Sequence, residues 1–120
     1  FRLLVREFAE ERVRPLVSKM DREAQMPREL IDACFELGIM GVEIPDAHGG
    51  AGATFFMSIL AVEELARVDA SVAVLVDMQN TLVNNAILRF GSPAQQAGLQ
   101  QAGGGVGHQN LSGNSSATTR

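Results

Sequence analysis

The chain has 120 residues, 46% of them apolar and 20% charged, the balance of a globular domain rather than a disordered chain. A formal net charge of −4 argues against a protein that binds nucleic acid or an anionic membrane by electrostatics. The longest nearly unbroken apolar run, Ala70 to Val76, is too short to span a bilayer. The single cysteine, Cys34, allows no intramolecular disulfide, no zinc-ligand spacing is present, and a lone thiol favours a reducing compartment.

The chain opens at Phe1 without an initiator Met and reads as a piece whose start has been removed. Its Arg-rich opening raises the question of a transit peptide, but Glu7, Glu10 and Glu11 speak against one. Charge is uneven along the chain. All 14 acidic residues lie between Glu7 and Asp77, and after Pro93 the only charged residue is Arg120. Residues 1–101 therefore read as one folded helical domain. Residues 102–120, rich in Gly, Ser and Gln, read as a flexible tail too poor in apolar groups to order itself. No internal repeat is visible.

Leu3, Leu4, Phe8 and Val13 predict the apolar face of a first helix, with Arg and Glu opposite. Pro15 should kink or restart it, leaving a second short stretch over Leu16–Met20. Pro27 suits the first turn of the next helix and Gly38 its stop, with Leu30, Cys34 and Leu37 as its inner stripe and Ile31 and Phe35 beside them. Residues 41–54 form a loop punctuated by Pro45, Gly49, Gly50 and Gly52. Thr54 caps a helix from Phe55 to about Val68, and Asp69 caps another from Ala70 to Phe90, stopped by Gly91. The β-branched run Val72–Val76 also suits a strand. Continuation of the apolar pattern through Leu82, Val83, Ala86 and Ile87 favours helix. Ser92-Pro93-Ala94-Gln95 has capping-box spacing. The fold class is all-α, a helical bundle.

Few residues announce chemistry. Glu63 and Glu64 are adjacent and point about 100° apart on a helix, so they do not converge on one substrate. Glu63 with Arg67 suits a surface ion pair. Gly49-Gly50-Ala51-Gly52 precedes a helix, but lacks nucleotide-loop spacing and reads as a turn needing positive φ. His48 and His108 are lone, solvated histidines, and Cys34 sits on an apolar stripe as inert core. Asp77, Gln79, Asn80 and Thr81 interrupt an apolar helix, and either face solvent or line a cavity.

Read together, these segments carry a resemblance. Gly38-Ile39-Met40-Gly41-Val42-Glu43-Ile44-Pro45, then Gly49-Gly50-Ala51-Gly52, lead to Glu63-Glu64-Leu65-Ala66-Arg67-Val68-Asp69-Ala70-Ser71. Gln79-Asn80-Thr81-Leu82 and Phe90-Gly91-Ser92-Pro93-Ala94-Gln95-Gln96 follow. This pattern resembles the N-terminal helical domain of acyl-CoA dehydrogenases, most nearly the short/branched-chain group, over residues 1 to about 96. The resemblance implies a complete enzyme with a β middle domain, a helical C-terminal domain and FAD between them. A glutamate of the C-terminal domain, absent from this chain, takes the α-proton of an acyl-CoA. Hydride passes to the flavin, leaving a 2-enoyl-CoA. An electron-transfer flavoprotein accepts the electrons, and the enzymes are commonly homotetramers.

On this chain the resemblance assigns no catalytic residue. It places Val74, Asp77, Met78 and Thr81 in the acyl pocket, with Asp77 limiting the depth an apolar tail reaches because burying charge against hydrocarbon is costly. Ser112 matches a flavin-contacting hydroxyl. After Gln96 the sequence departs from the family pattern: Gly113 stands where Glu is expected and the acidic end of the motif is missing. A degenerate tail, or an out-of-frame reading of GC-rich coding DNA, accounts for this, and nine arginines beside the single Lys19 fit such DNA. The isolated chain is expected to be inactive. The rival reading is a non-enzymatic helical interaction or oligomerisation module, whose exposed apolar faces serve a partner. A helix-turn-helix DNA binder is opposed by the acidic balance. Bacterial cytoplasm and mitochondrial matrix both suit the family.

Overall fold

The computed structural model describes residues 1–99, and these are helical with no strand among them. The expected tail at 102–120 lies outside the described residues. The helices are α1 (Arg2–Phe8), α2 (Val17–Glu23), α3 (Arg28–Glu36), α4 (Phe55–Ala66), α5 (Ala70–Asp77), α6 (Asn85–Phe90) and α7 (Pro93–Ala97). α4 packs between α1 and α5. The core gathers Val5, Ala9 and Val13 from the first segment and Leu30 and Cys34 from α3. Met20, Ile39, Met40, Ala61, Leu65, Val72, Ala73 and Val76 complete it.

The first apolar face differs from the expected one. Leu3 and Leu4 are 67% and 50% exposed, whereas Val5, Ala9 and Val13 are fully buried. The chain widens into a π-helical turn over Ala9–Val13, and a wider turn keeps residues four apart in line. Val13 therefore stays under Val5 and Ala9, and the leucines are rotated outward. The same widening prepares for Pro15, which lacks an N–H and would clash with a carbonyl four residues back. Pro15 sits instead in a 3-10 turn, Arg14–Leu16, and the chain runs on into α2 without leaving helical dihedrals.

The other expected boundaries hold to within a residue or two. Pro27 is the residue before α3 rather than its first, and Gly38 follows α3 at φ 82°. Thr54 precedes α4, though its hydroxyl makes no capping bond. Asp69 caps α5 by accepting from Val72 N at 2.9 Å. Ser92 and Gln95 form the full capping box, with Gln95 N donating to Ser92 Oγ at 3.2 Å and Ser92 N to Gln95 Oε1 at 2.8 Å. Val72–Val76 is helical. The long helix expected from Ala70 to Phe90 is present, but a second wide turn, Met78–Asn84, separates α5 from α6.

Among the described residues no helix is long and apolar enough to cross a membrane. Cys34 is free and fully buried, and burial pushes its thiol up to about 11. The thiolate is the reactive form. We expect the folded protein at pH 8 to resist a thiol reagent such as DTNB, and the denatured chain to react with one equivalent. Rapid labelling of the folded protein would contradict the packing of α3.

Candidate functional site

The expected pocket residues lie where the helix turns its back on the core. Val74 and Met78 are 58% and 47% exposed, with Asp77 and Thr81 half-buried beside them. Spacings of three, four and seven put all four on one face. The Thr81 hydroxyl donates to Asp77 O at 2.8 Å. The structure thus brings the four together, but on an open face rather than inside a cavity. Thr81 alone of the four borders a groove of about 280 Å³, shared with Leu82, Asn85 and Phe90. A larger cleft, about 880 Å³, lies elsewhere, between Phe35 of α3 and Ile87, Phe90 and Leu99.

The polar residues that interrupt the helix divide between its two sides. Asp77 and Thr81 look outward and Gln79 lines the large cleft. Asn80 is neither solvated nor cavity-lining: it is 1% exposed and spent on backbone. Its Nδ2 donates to Ile39 O at 2.7 Å and Val76 O at 2.9 Å, and its Oδ1 accepts from Val42 N at 2.9 Å. Asn84, 2% exposed, donates to Met40 O at 2.8 Å and accepts from Gln79 Nε2 at 2.9 Å. From sequence Asn84 was missed and Asn80 was read as facing solvent or lining a cavity. The signal was present: Val72, Val76, Asn80 and Asn84 continue the inner stripe at intervals of four.

The glutamate pair also departs from expectation. Glu63 does not pair with Arg67; it meets Arg2 of α1 at 3.0 Å. Glu64 is 1% exposed and takes Arg2 Nε at 2.5 Å, Arg6 Nε at 2.8 Å and Arg6 Nη2 at 3.0 Å. The face of α4 that carries Glu64 is covered by α1, so the partners come from 58 and 62 residues away. Hydrogen bonds from Arg6 and then Arg2 hold the Glu64 carboxyl down to about 2, against an ordinary 4.5. A depressed carboxyl stabilises the fold above its unfolded value and loses that contribution as pH falls toward its folded value. Tm should therefore drop as pH goes from about 4.5 to about 2. Glu64→Gln should flatten part of that drop, Glu10 beside Arg14 supplying some of the remainder. An unchanged acid limb in Glu64→Gln, followed by circular dichroism, would contradict the assignment.

The glycine-rich loop is structural. Gly49 and Gly52 have φ of 78° and 59°. Its amides are consumed internally: Gly49 N on Asp46 O, Gly50 N on Pro45 O, Ala51 N on Gly41 O, Gly52 N on Ile44 O. No row of free N–H groups remains there to cradle a phosphate. His48 is half-buried in this loop rather than solvated, with no acid or nucleophile bonded to it among the described residues. Nor do the described residues gather three metal-ligating side chains. His108 and Ser112 lie outside the described residues.

Comparison with known proteins gives this face its context. The family of the acyl-CoA dehydrogenase N-terminal domain matches residues 1–101. The short/branched chain specific acyl-CoA dehydrogenase of Bos taurus is 50% identical over 93 residues, which cover 78% of this chain and 22% of that protein. An acyl-CoA dehydrogenase of Bacillus subtilis is 35% identical over 95 residues, 79% of this chain and 25% of that one. Among solved structures, the butyryl-CoA dehydrogenase of Megasphaera elsdenii superposes with a TM-score of 0.77 at 35% identity, covering 86% of this chain and 28% of that one. A chain from work on the electron transferring flavoprotein of Acidaminococcus fermentans gives 0.78 at 31% identity, covering 86% and 28%. This chain spans only 22–28% of the length of each. With that domain matched over residues 1–101, the chain belongs to the acyl-CoA dehydrogenase family through that family's N-terminal helical domain.

Proposed function

We propose that residues 1–101 serve as the N-terminal domain of an FAD-dependent acyl-CoA dehydrogenase acting on short or branched acyl-CoA, and that Val74, Asp77, Met78 and Thr81 supply one wall of its acyl pocket. Residues 102–120 are, in this reading, a tail without a catalytic part. The observation that carries the proposal is the open face itself. Val74 and Met78 present apolar surface beside an acid and a hydroxyl, and a hydrocarbon tail needs such a wall completed by other protein. Asp77 limits tail depth because its charge resists burial against hydrocarbon.

The flavin is not held by these residues. The glycine loop has spent its amides, and the one matching hydroxyl, Ser112, lies outside the described residues. No step on the flavin is assigned to this chain. What the described residues do is bind and orient an acyl tail and exclude water from it. Proton abstraction by a glutamate, electron delivery to an electron-transfer flavoprotein and tetramer formation belong to the complete enzyme in this reading. Its compartment is then bacterial cytoplasm or mitochondrial matrix.

The test is a chimera in which residues 1–96 replace the matching segment of the Bos taurus enzyme. It should load FAD, and a short branched acyl-CoA should bleach the flavin. A folded, flavin-loaded chimera that no acyl-CoA bleaches would overturn the proposal. Phe55, Phe56 and Ile59 of α4 are 57%, 66% and 41% exposed, which favours a second reading, a self-associating helical module. Concentration-dependent sedimentation of the 120-residue chain, together with the failed chimera, would support that reading.

A further inference from the structure

The helix that carries Val74, Asp77, Met78 and Thr81 is gripped from behind. Asn80 and Asn84 reach from its inner face to three backbone groups on the turn after α3: Ile39 O, Met40 O and Val42 N. Ile39, Met40 and Val42 are each 1% exposed, so water cannot replace the asparagines. A buried amide or carbonyl without a partner is costly. Sliding or rolling the helix would orphan all three groups at once. The wide turn over Met78–Asn84 belongs to the same device. It advances less per residue than an α-helix, which keeps Asn84 in line with Asn80 and pointed at the turn.

We infer that Asn80 and Asn84 are positioning residues that fix the roll of the 70–90 helix and thereby set how deep an acyl tail reaches along Val74, Asp77, Met78 and Thr81. Asn80 directly precedes Thr81, and Val76, whose carbonyl Asn80 takes, directly precedes Asp77. The Asn80 grip therefore lies one residue from Thr81 and the Asn84 grip three residues beyond it, so a small roll moves Asp77 and Thr81 together. Chain-length preference, rather than chemistry, is what such a roll changes. This inference rests on the acyl-pocket reading given above.

The experiment uses the flavin-loaded chimera with Asn84→Ala, which removes the outer grip, and with Asn80→Asp, which keeps the acceptor for Val42 N but loses both donors. Flavin absorbance reports folding and loading independently of turnover. In whichever variant loads flavin, the ratio of kcat/KM for a longer linear acyl-CoA to that for a short branched one should shift roughly tenfold, carried by KM. A flavin-loaded variant with an unchanged ratio would show a purely structural clamp and overturn the inference. A parent chimera that loads flavin but turns over no acyl-CoA would instead remove the pocket reading, and the inference with it.

Discussion

Gly50→Ala lowers the stability of the domain by about 2–4 kcal/mol, read as a fall in Tm of at least about 10 °C. A methyl group at this position would sit 2.0 Å from Ile44 O and 2.3 Å from Ile44 Cβ. Neither atom is the free end of a side chain, and Ile44 is fully buried. The loop itself must move, and it is tied down by Gly52 N on Ile44 O and Ala53 N on Val42 O, both 2.9 Å. Gly52→Ala is the control. Its φ of 59° strains an alanine by about 1 kcal/mol, but the new methyl would meet Asp46 Oδ1 at 3.1 Å, a side chain able to turn aside. Thermal melts should rank Gly50→Ala well below Gly52→Ala. The reverse order would mean that the loop is held by its dihedrals and not by its packing on Ile44.

Asn80→Leu is expected to cost about 3–5 kcal/mol, since it strands two buried backbone groups at about 1–3 kcal/mol each. Leucine has the same number and branching of side-chain heavy atoms as asparagine and is no smaller, so the loss does not come from a cavity. Val42 N and Ile39 O lose their partners at 2.9 and 2.7 Å, and neither has access to water. Asp77→Leu, on the exposed side of the same helix, should stay within about 0.5 kcal/mol of the parent. Denaturant unfolding of the two variants separates the inner from the outer face. Equal effects would contradict the assignment of Asn80 to the inside.

Much of the fold was legible because local signals agreed with burial. Asp69, Gly91 and the Ser92–Gln95 box act as punctuation whatever surrounds them, and the Val72–Val76 run is long enough with its continuation to be a helix. The errors of helix face share one cause. Period-based reading assumes 3.6 residues per turn, and this chain twice adopts a wider turn, over Ala9–Val13 and Met78–Asn84. There the inner stripe steps by four, which buries Val5, Ala9 and Val13 in place of Leu3 and Leu4. It also carries Asn80 and Asn84 inward. Glu64 was misread for another reason: its partners, Arg2 and Arg6, are remote in sequence, and only packing of α1 on α4 brings them to it. The wall residues Val74, Asp77, Met78 and Thr81 came from family resemblance. No periodicity distinguishes an exposed helix face from one awaiting a second domain.

In the proposed function this face meets an acyl tail and Asp77 limits its depth. The most direct measurement is the acyl-chain-length profile of the flavin-loaded chimera with and without Asp77→Leu. Replacing the acid with leucine should raise kcat/KM for a longer linear acyl-CoA relative to a short one by about tenfold, with flavin loading unchanged. An identical profile in the two proteins would mean that the tail does not reach this helix, and the acyl-wall assignment would fall.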